Sequence, residues 1–289
     1  MKLNNQKTLK NNVAINGVGL HTGQKVSIKI NPAPEDYGIV FRRTDVEGFN
    51  NIVRADYRNV TKTQLGTTIS NQEGTMVSTV EHLMAALWGC GVDNALIDLS
   101  AAEIPIMDGS SEPFIKAIDE TGIKLLDKNR EVIKIKNSLE VTEEDKYIRA
   151  EPSDEFAIDL EIDFNSKAIS RQRSRFAGSE ENFRNTLSQA RTFGFSHEVE
   201  YLRSIGLARG GSLENAVVLE GDKILNKDGL RYEDEFVRHK LLDCIGDFFL
   251  AGKRIVGSIS AYKAGHGLNN KLLHKLLSDK NQFEITTHQ

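Results

Sequence analysis

A chain of 289 residues is longer than one hydrophobic core comfortably fills, so two domains are expected. Apolar content of 39% with 27% charged residues describes an ordinary globular protein, and a net charge of -4 leaves no basic footprint for nucleic acid. The N-terminus "MKLNNQKTLKNNVAING" has no apolar signal core and no apolar run approaches the ~20 residues of a membrane span, so contact with a membrane is at most peripheral.

Residues 13–30, "VAINGVGLHTGQKVSIKI", predict two strands about a Gly-rich turn, the second alternating Val26, Ile28 and Ile30. The turn glycines, Gly17, Gly19 and Gly23, miss the dinucleotide spacing and no Walker lysine follows, so the turn serves to set Leu20 and His21 near a site. A capped apolar helix is expected from Ser78 to Trp88, ended by the glycines of "GCGVDN" and followed by the buried strand "ALIDLS". "EIPIMDGS" predicts an extended piece and a turn, and "EPFIKAIDETGI" a second helix with Pro113 near its start. The charged stretch "LDKNREV" (126–132) reads as a break, with a linker at 127–131 between an N-terminal domain, 1–126, and a C-terminal domain, 132–289. Beyond it come the strands "VIKIK", "YIRAEP" and "FAIDLEIDF", a polar helix over 180–189 and an irregular stretch over 193–220. An apolar helix over 236–249, the strand "RIVGSISAY", the glycine-bounded loop "KAGHGLNNK" and a helix near 269–278 complete the chain. Cys90 and Cys244 both fall in apolar helical settings, as packed free thiols of a protein in a reducing cytoplasm.

"EHLMAALWGCGVDNALIDLS" and "RHKLLDCIGDFFLAGKRIVGSIS" share a plan: charged residue, His, apolar helix, Gly, turn, strand. Two halves built alike would explain the length and would let His82 and His239 face one another across a pseudo-symmetric interface.

The chemistry concentrates in "FVRHKLLDCIGD". On a helix, His239, Asp243 and Asp247 fall four residues apart down one face, between Phe236, Leu242 and Phe249. One reading is a wet helical stripe. The other is that flanking apolar residues bury the line, and buried carboxylates must then be paired, protonated or bound to a metal. Glu81 and His82 head another apolar helix, where Ser78-x-x-Glu81 is also a capping-box pattern. Adjacent helical residues point about 100° apart, so one can ligate a metal while the other reaches a water beside it, a division that suits a hydrolase. His266, in a glycine-flanked loop, is expected to be exposed and mobile, and oriented by Asp247 it could act as a general acid.

Taken together, "INGVGLHTG", "STVEHLMAAL", "EIPIMDGS", "RTFGF", "DGLRYEDEFVRHKLLDCIGD" and "AYKAGHGLNNKLL" make the chain resemble the UDP-3-O-acyl-N-acetylglucosamine deacetylases, zinc amidases of bacterial lipid A synthesis. The resemblance implies an α+β fold of two similar domains, each a sheet packed on two helices with a small insert, and an active site between them. It implies Zn2+ on His82, His239 and Asp243, with Fe2+ the alternative in cells. Glu81 would be the general base, His266 the general acid or charge stabiliser with Asp247 beside it, and Thr192 an oxyanion contact. The nucleotide-sugar part of the substrate would meet Phe164, Lys240 and Lys263. Its acyl chain would meet Leu20, Phe193, Phe195, Val199, Leu202, Leu207, Ala216 and Val218. A cytoplasmic monomer, hydrolysing the acetamide of a small-molecule substrate, follows from the same likeness. Two positions depart from relatives: Gly66 stands where some carry a cysteine implicated in a second, inhibitory metal, and Ala208 where some carry a larger or more polar residue. On the residues alone, a binding protein with a structural metal and an amidase for another acylated sugar stay open.

Overall fold

The chain builds one sheet pattern twice. In the first half the strands lie in the order Val13–Val18, Lys25–Pro32, Ala95–Leu99, Ile39–Arg43, Ile52–Arg54. In the second, Leu139–Glu143, Lys146–Glu151, Arg254–Tyr262, Phe156–Asp163 and Arg171–Ala177 repeat that order. Each half begins with an antiparallel hairpin. A strand arriving late in the sequence then enters the middle, antiparallel to the hairpin and parallel to the next strand. Parallel neighbours need a crossover, and a helix supplies it in both halves. The structure, a computed structural model, describes residues 4–48 and 50–287.

Helix α1 (Glu81–Gly89) precedes the late strand of the first half, and α2 (Glu112–Thr121) follows it. In the second half, α3 (Glu180–Thr186) and α4 (Ser196–Ser204) come before α5 (Glu235–Phe249), which occupies the place of α1, and α6 (His266–Ser278) occupies that of α2. The suspected repeat is therefore real, and each half carries an insert ahead of its crossover helix. The first is the three-stranded piece Val60–Lys62, Thr68–Ser70, Met76–Val77. The second is α4 with strands Phe193–Phe195, Val217–Glu220 and Lys223–Ile224.

Every residue of α1 is buried, as are most of α5, as expected of helices that are apolar nearly all round. They lie against one another in the centre of the molecule. Their approach is close because residue 246 is glycine: a methyl group there would overlap the carbonyl oxygen of Glu81. At the far end of α1, Trp88 packs on Phe156, Phe176 and Phe183 of the second half, with ring centroids 5.7 to 5.8 Å away.

The charged stretch 126–132 is mostly strand rather than an irregular break. Ile123–Asn129 pairs with Asn5–Leu9, and Glu131–Ile135 pairs with both Arg254–Tyr262 and Phe283–Thr287. Between these strands only Arg130 is unassigned, and its guanidinium is held by Asp93. A strand with one wet face tolerates alternating charges, which is why the composition read as a loop. Likewise, the irregular-looking segment 193–220 contains α4. No helix among the described residues is long and apolar enough to cross a membrane.

Candidate metal centre and active site

Helices α1 and α5 bring His82, His239 and Asp243 together, all buried. Asp243 Oδ1 lies 3.5 Å from His82 Nε2 and 3.4 Å from His239 Nε2. The two imidazoles meet edge to face with centroids 4.9 Å apart. His239 Nδ1 donates to the carbonyl of Ala190 at 3.0 Å, which leaves the Nε2 lone pair facing the cluster. Burial, reinforced by His82 and Lys240 against the pull of Asp243, lowers the His239 pKa to about 4, so this imidazole is neutral. Asp243 is held ionised, against its burial, with the Lys240 ammonium beside it. Its Oδ2 accepts from Lys240 Nζ at 2.9 Å, whereas its buried Oδ1 has no hydrogen-bond donor. An acceptor left without a donor is costly, and two imidazole nitrogens beside it make the set fit one divalent cation with a further position open. The three ligand atoms lie within 4.8 Å of one another, the only such cluster among the described residues.

Glu81 stands beside this centre and does not close a capping box. The helix begins at Glu81 with Val80 as its cap and no side-chain capping bond, and Ser78 Oγ accepts from Thr68 instead. Glu81 Oε2 accepts from the backbone N–H of Thr67 at 2.9 Å, and Oε1 faces His266 Nε2 at 3.9 Å. Burial raises the Glu81 pKa, and the nearby imidazoles only partly offset it.

His266 is neither exposed nor in a loop. It is buried and forms the first residue of α6, because the turn at Ala264–Gly265 is short enough for the helix to start at once. Burial and the helix N-terminus both disfavour a cation here. Three carboxylates outweigh them: Asp247 Oδ2 accepts from Nδ1 at 2.8 Å, with Glu81 Oε1 at 3.9 Å and Asp243 Oδ2 at 4.0 Å from Nε2. The pKa is raised to about 9.

A cavity of about 390 Å³ opens over these groups, walled also by Thr192, Lys240, Lys263, Lys146 and Glu143. Two of the lysines are already partnered: Lys240 to Asp243, and Lys263 to Asp145 at 2.8 Å and Asp163 at 3.6 Å. A second, predominantly apolar cavity of about 360 Å³ shares Leu20, Leu65, Thr192 and Phe193 with the first. Phe195, Val199, Leu202, Ala208, Ala216 and Val218 continue its wall. Leu207, expected along the acyl chain, lies off it, and Phe164, expected at the nucleotide-sugar part, lines neither cavity. Leu207 borders a neighbouring cavity with Thr79, Gly66 and Glu103. Phe164 meets Phe193 edge to face at 5.6 Å and lies tilted against Phe195 at 6.4 Å between ring centroids.

Several residues escaped sequence reasoning. Glu103, buried, accepts from the backbone N–H groups of His21 and Thr22 at 2.8 Å and from the Thr79 hydroxyl at 3.2 Å, tying the Leu20 turn to the start of α1. Asn269 donates to Asp247 Oδ2 at 2.8 Å. Its spacing of three from His266 would have revealed it, had the helix been started at 266. Thr67 and Lys146 carry no local signal.

A family model described as "LpxC: UDP-3-O-acyl N-acetylglycosamine deacetylase" matches residues 6–278. The chain is 46% identical over 286 residues to a UDP-3-O-acyl-N-acetylglucosamine deacetylase of Mannheimia succiniciproducens, covering 98% of this chain and 93% of the relative. It is 48% identical over 286 residues to the protein of that name from Thioalkalivibrio sulfidiphilus, with the same coverage.

Proposed function

The chain belongs to the UDP-3-O-acyl-N-acetylglucosamine deacetylase family, and on that footing we propose how its own residues perform the reaction. The protein is a hydrolytic deacetylase of lipid A biosynthesis, releasing acetate and a free amine from its acylated nucleotide sugar. His82, His239 and Asp243 hold the metal, which we take to be zinc with ferrous iron as the alternative in cells. Bound there, such an ion would supply Lewis acidity toward the acetamide carbonyl and the attacking water. Glu81 takes the proton of the attacking water on Oε1, its other oxygen being occupied by the Thr67 amide. Thr192, on the wall of the same cavity, stabilises the developing oxyanion. His266 donates its Nε2 proton to the departing nitrogen while Asp247 holds Nδ1.

Lys240 and Lys263 meet the diphosphate, with Phe164 supporting the sugar side through Phe193. The apolar cavity takes the acyl chain along Leu20, Phe193, Phe195, Val199, Ala216 and Val218, with Leu207 at its outer side. We further assign the division 1–126 and 132–289 as domains, and read the protein as a cytoplasmic monomer.

The observation that supports this most directly is the buried Asp243 Oδ1, without a donor and between two imidazole nitrogens, opening on a cavity continuous with an apolar one. The test is acetate release from the acylated nucleotide sugar, run alongside elemental analysis. His239→Ala is expected to lose metal and turnover together. Glu81→Ala should keep metal and fold while turnover falls by ~100-fold or more, within the range for a lost acid–base group. Full activity of either variant would overturn the assignment.

A further inference from the structure

We propose that Thr67 is a positioning residue that locks the base arm and the acid arm of the site to one another across the two halves. This rests on the roles given above to Glu81 and His266. Thr67 is 2% exposed and has two partners that no other residue shares among the described hydrogen bonds. Its backbone N–H donates to Glu81 Oε2 at 2.9 Å, and its hydroxyl donates to Asp247 Oδ1 at 2.6 Å. The first partner belongs to α1 and the second to α5. Its carbonyl in turn accepts from Val80 N at 3.2 Å, which fastens the residue to the start of α1.

The surrounding backbone is shaped for this. Leu65 has φ 59° and Gly66 φ 156°, conformations that turn the chain sharply just before Thr67. A side chain at position 66 would begin 2.9 Å from Glu81 Oε1, so the absence of a Cβ lets the segment lie on the carboxylate. The result is a full complement of donors on the groups that must not move. Asp247 Oδ1 is taken by Thr67, and Oδ2 by His266 Nδ1 and Asn269 Nδ2, each at 2.8 Å. Glu81 Oε2 is taken by Thr67, leaving Oε1 to face His266 Nε2 at 3.9 Å. One residue, itself not lining the open cavity and hydrogen-bonded to Glu81 and Asp247, thus sets the distance between the oxygen that accepts a proton and the nitrogen that gives one. The insert of the first half, of which Thr67 is part, is then a catalytic brace.

Thr67→Val removes the hydroxyl and keeps shape and N–H, so it cuts the link to Asp247 alone. The expected result is a fall in kcat of at least ~10-fold with KM within ~2-fold and metal content unchanged, because only the aligned acid–base geometry is lost. Thr67→Ser, which restores the donor, should recover most of that kcat. In an Asp247→Asn background, Thr67→Val should subtract much less than it does alone, since both act through one contact. A Thr67→Val protein that melts earlier yet keeps its kcat, or a Thr67→Val effect that multiplies fully with Asp247→Asn, would overturn the proposal. So would a Thr67→Ser protein as impaired as Thr67→Val. Failure of the underlying roles is told apart by Glu81→Ala and His266→Ala: activity in those variants removes the base and acid assignments themselves, whereas their inactivity with an active Thr67→Val removes only the brace.

Discussion

His266 sits where an isolated imidazole would stay neutral, at the N-terminus of α6 and out of water, yet Asp247, Glu81 and Asp243 raise its pKa from 6.5 to about 9. A raised pKa in the folded state is a stability term with a definite sign. In the metal-free protein, this group's contribution is fully present below about pH 6.5 and is lost as pH rises through about 9. Thermal melts of metal-free protein should therefore show the gap between wild type and Asp247→Asn widest at low pH, narrowing across that window and constant above it. A gap independent of pH from 6 to 10 would mean the pair is not charged. Glu81 beside it illustrates two readings of one residue. The capping-box spacing with Ser78 was a sound pattern, but the helix starts three residues later and the carboxylate is spent on Thr67 and the site.

At the scale of elements, the candidate metal site exists because α1 and α5 cross closely enough for ligand atoms on each to lie within 4.8 Å of one another. Gly246 permits that crossing, since a side chain there would meet the backbone carbonyl of Glu81, which cannot swing aside. Gly246→Ala is expected to destabilise the fold by about 1–3 kcal/mol, the usual penalty of overpacking, and to loosen metal retention by separating His82 from His239. Denaturant midpoints and metal titration read both effects, and a variant matching wild type in each would refute the close crossing. The line His239, Asp243, Asp247 on α5 was legible from sequence because helical spacing is local. Which face it presented, and to whom, depended on α1 arriving from the other half.

Over the whole molecule, duplication accounts for the architecture: two sheets of the same strand order, each with a crossover helix facing its counterpart, and inserts that have diverged. The first insert braces the reacting groups. The second, with α4, walls an apolar cavity of about 360 Å³ that shares Leu20, Leu65, Thr192 and Phe193 with the cavity over the candidate metal ligands. An acyl chain gains roughly 0.8 kcal/mol per methylene buried there, so blocking the cavity should penalise long chains selectively. For Ala216→Phe, kcat/KM with a long-chain substrate should fall at least ~10-fold while a short-chain analogue changes less than ~3-fold, and metal content stays unchanged. Equal loss on both substrates would show that the cavity is not the acyl site.

Sequence patterns sufficed for the elements whose signals are local: the helices bearing His82 and His239, the late strands that follow them, the repeat that relates them, and the ligand-type residues they carry. They did not suffice where burial and partnership come from distant segments. His266 read as a mobile loop residue because two glycines flank it, and the three carboxylates that keep it buried and charged lie on α1 and α5. The stretch 126–132 read as a charged break because the strands it belongs to pair with residues 5–9, 254–256 and 283–287. Thr67, the shared donor to Glu81 and Asp247, carries no periodicity or motif at all. A hydrogen bond between residues 180 positions apart is made only when the chain has folded, and no local pattern can announce it.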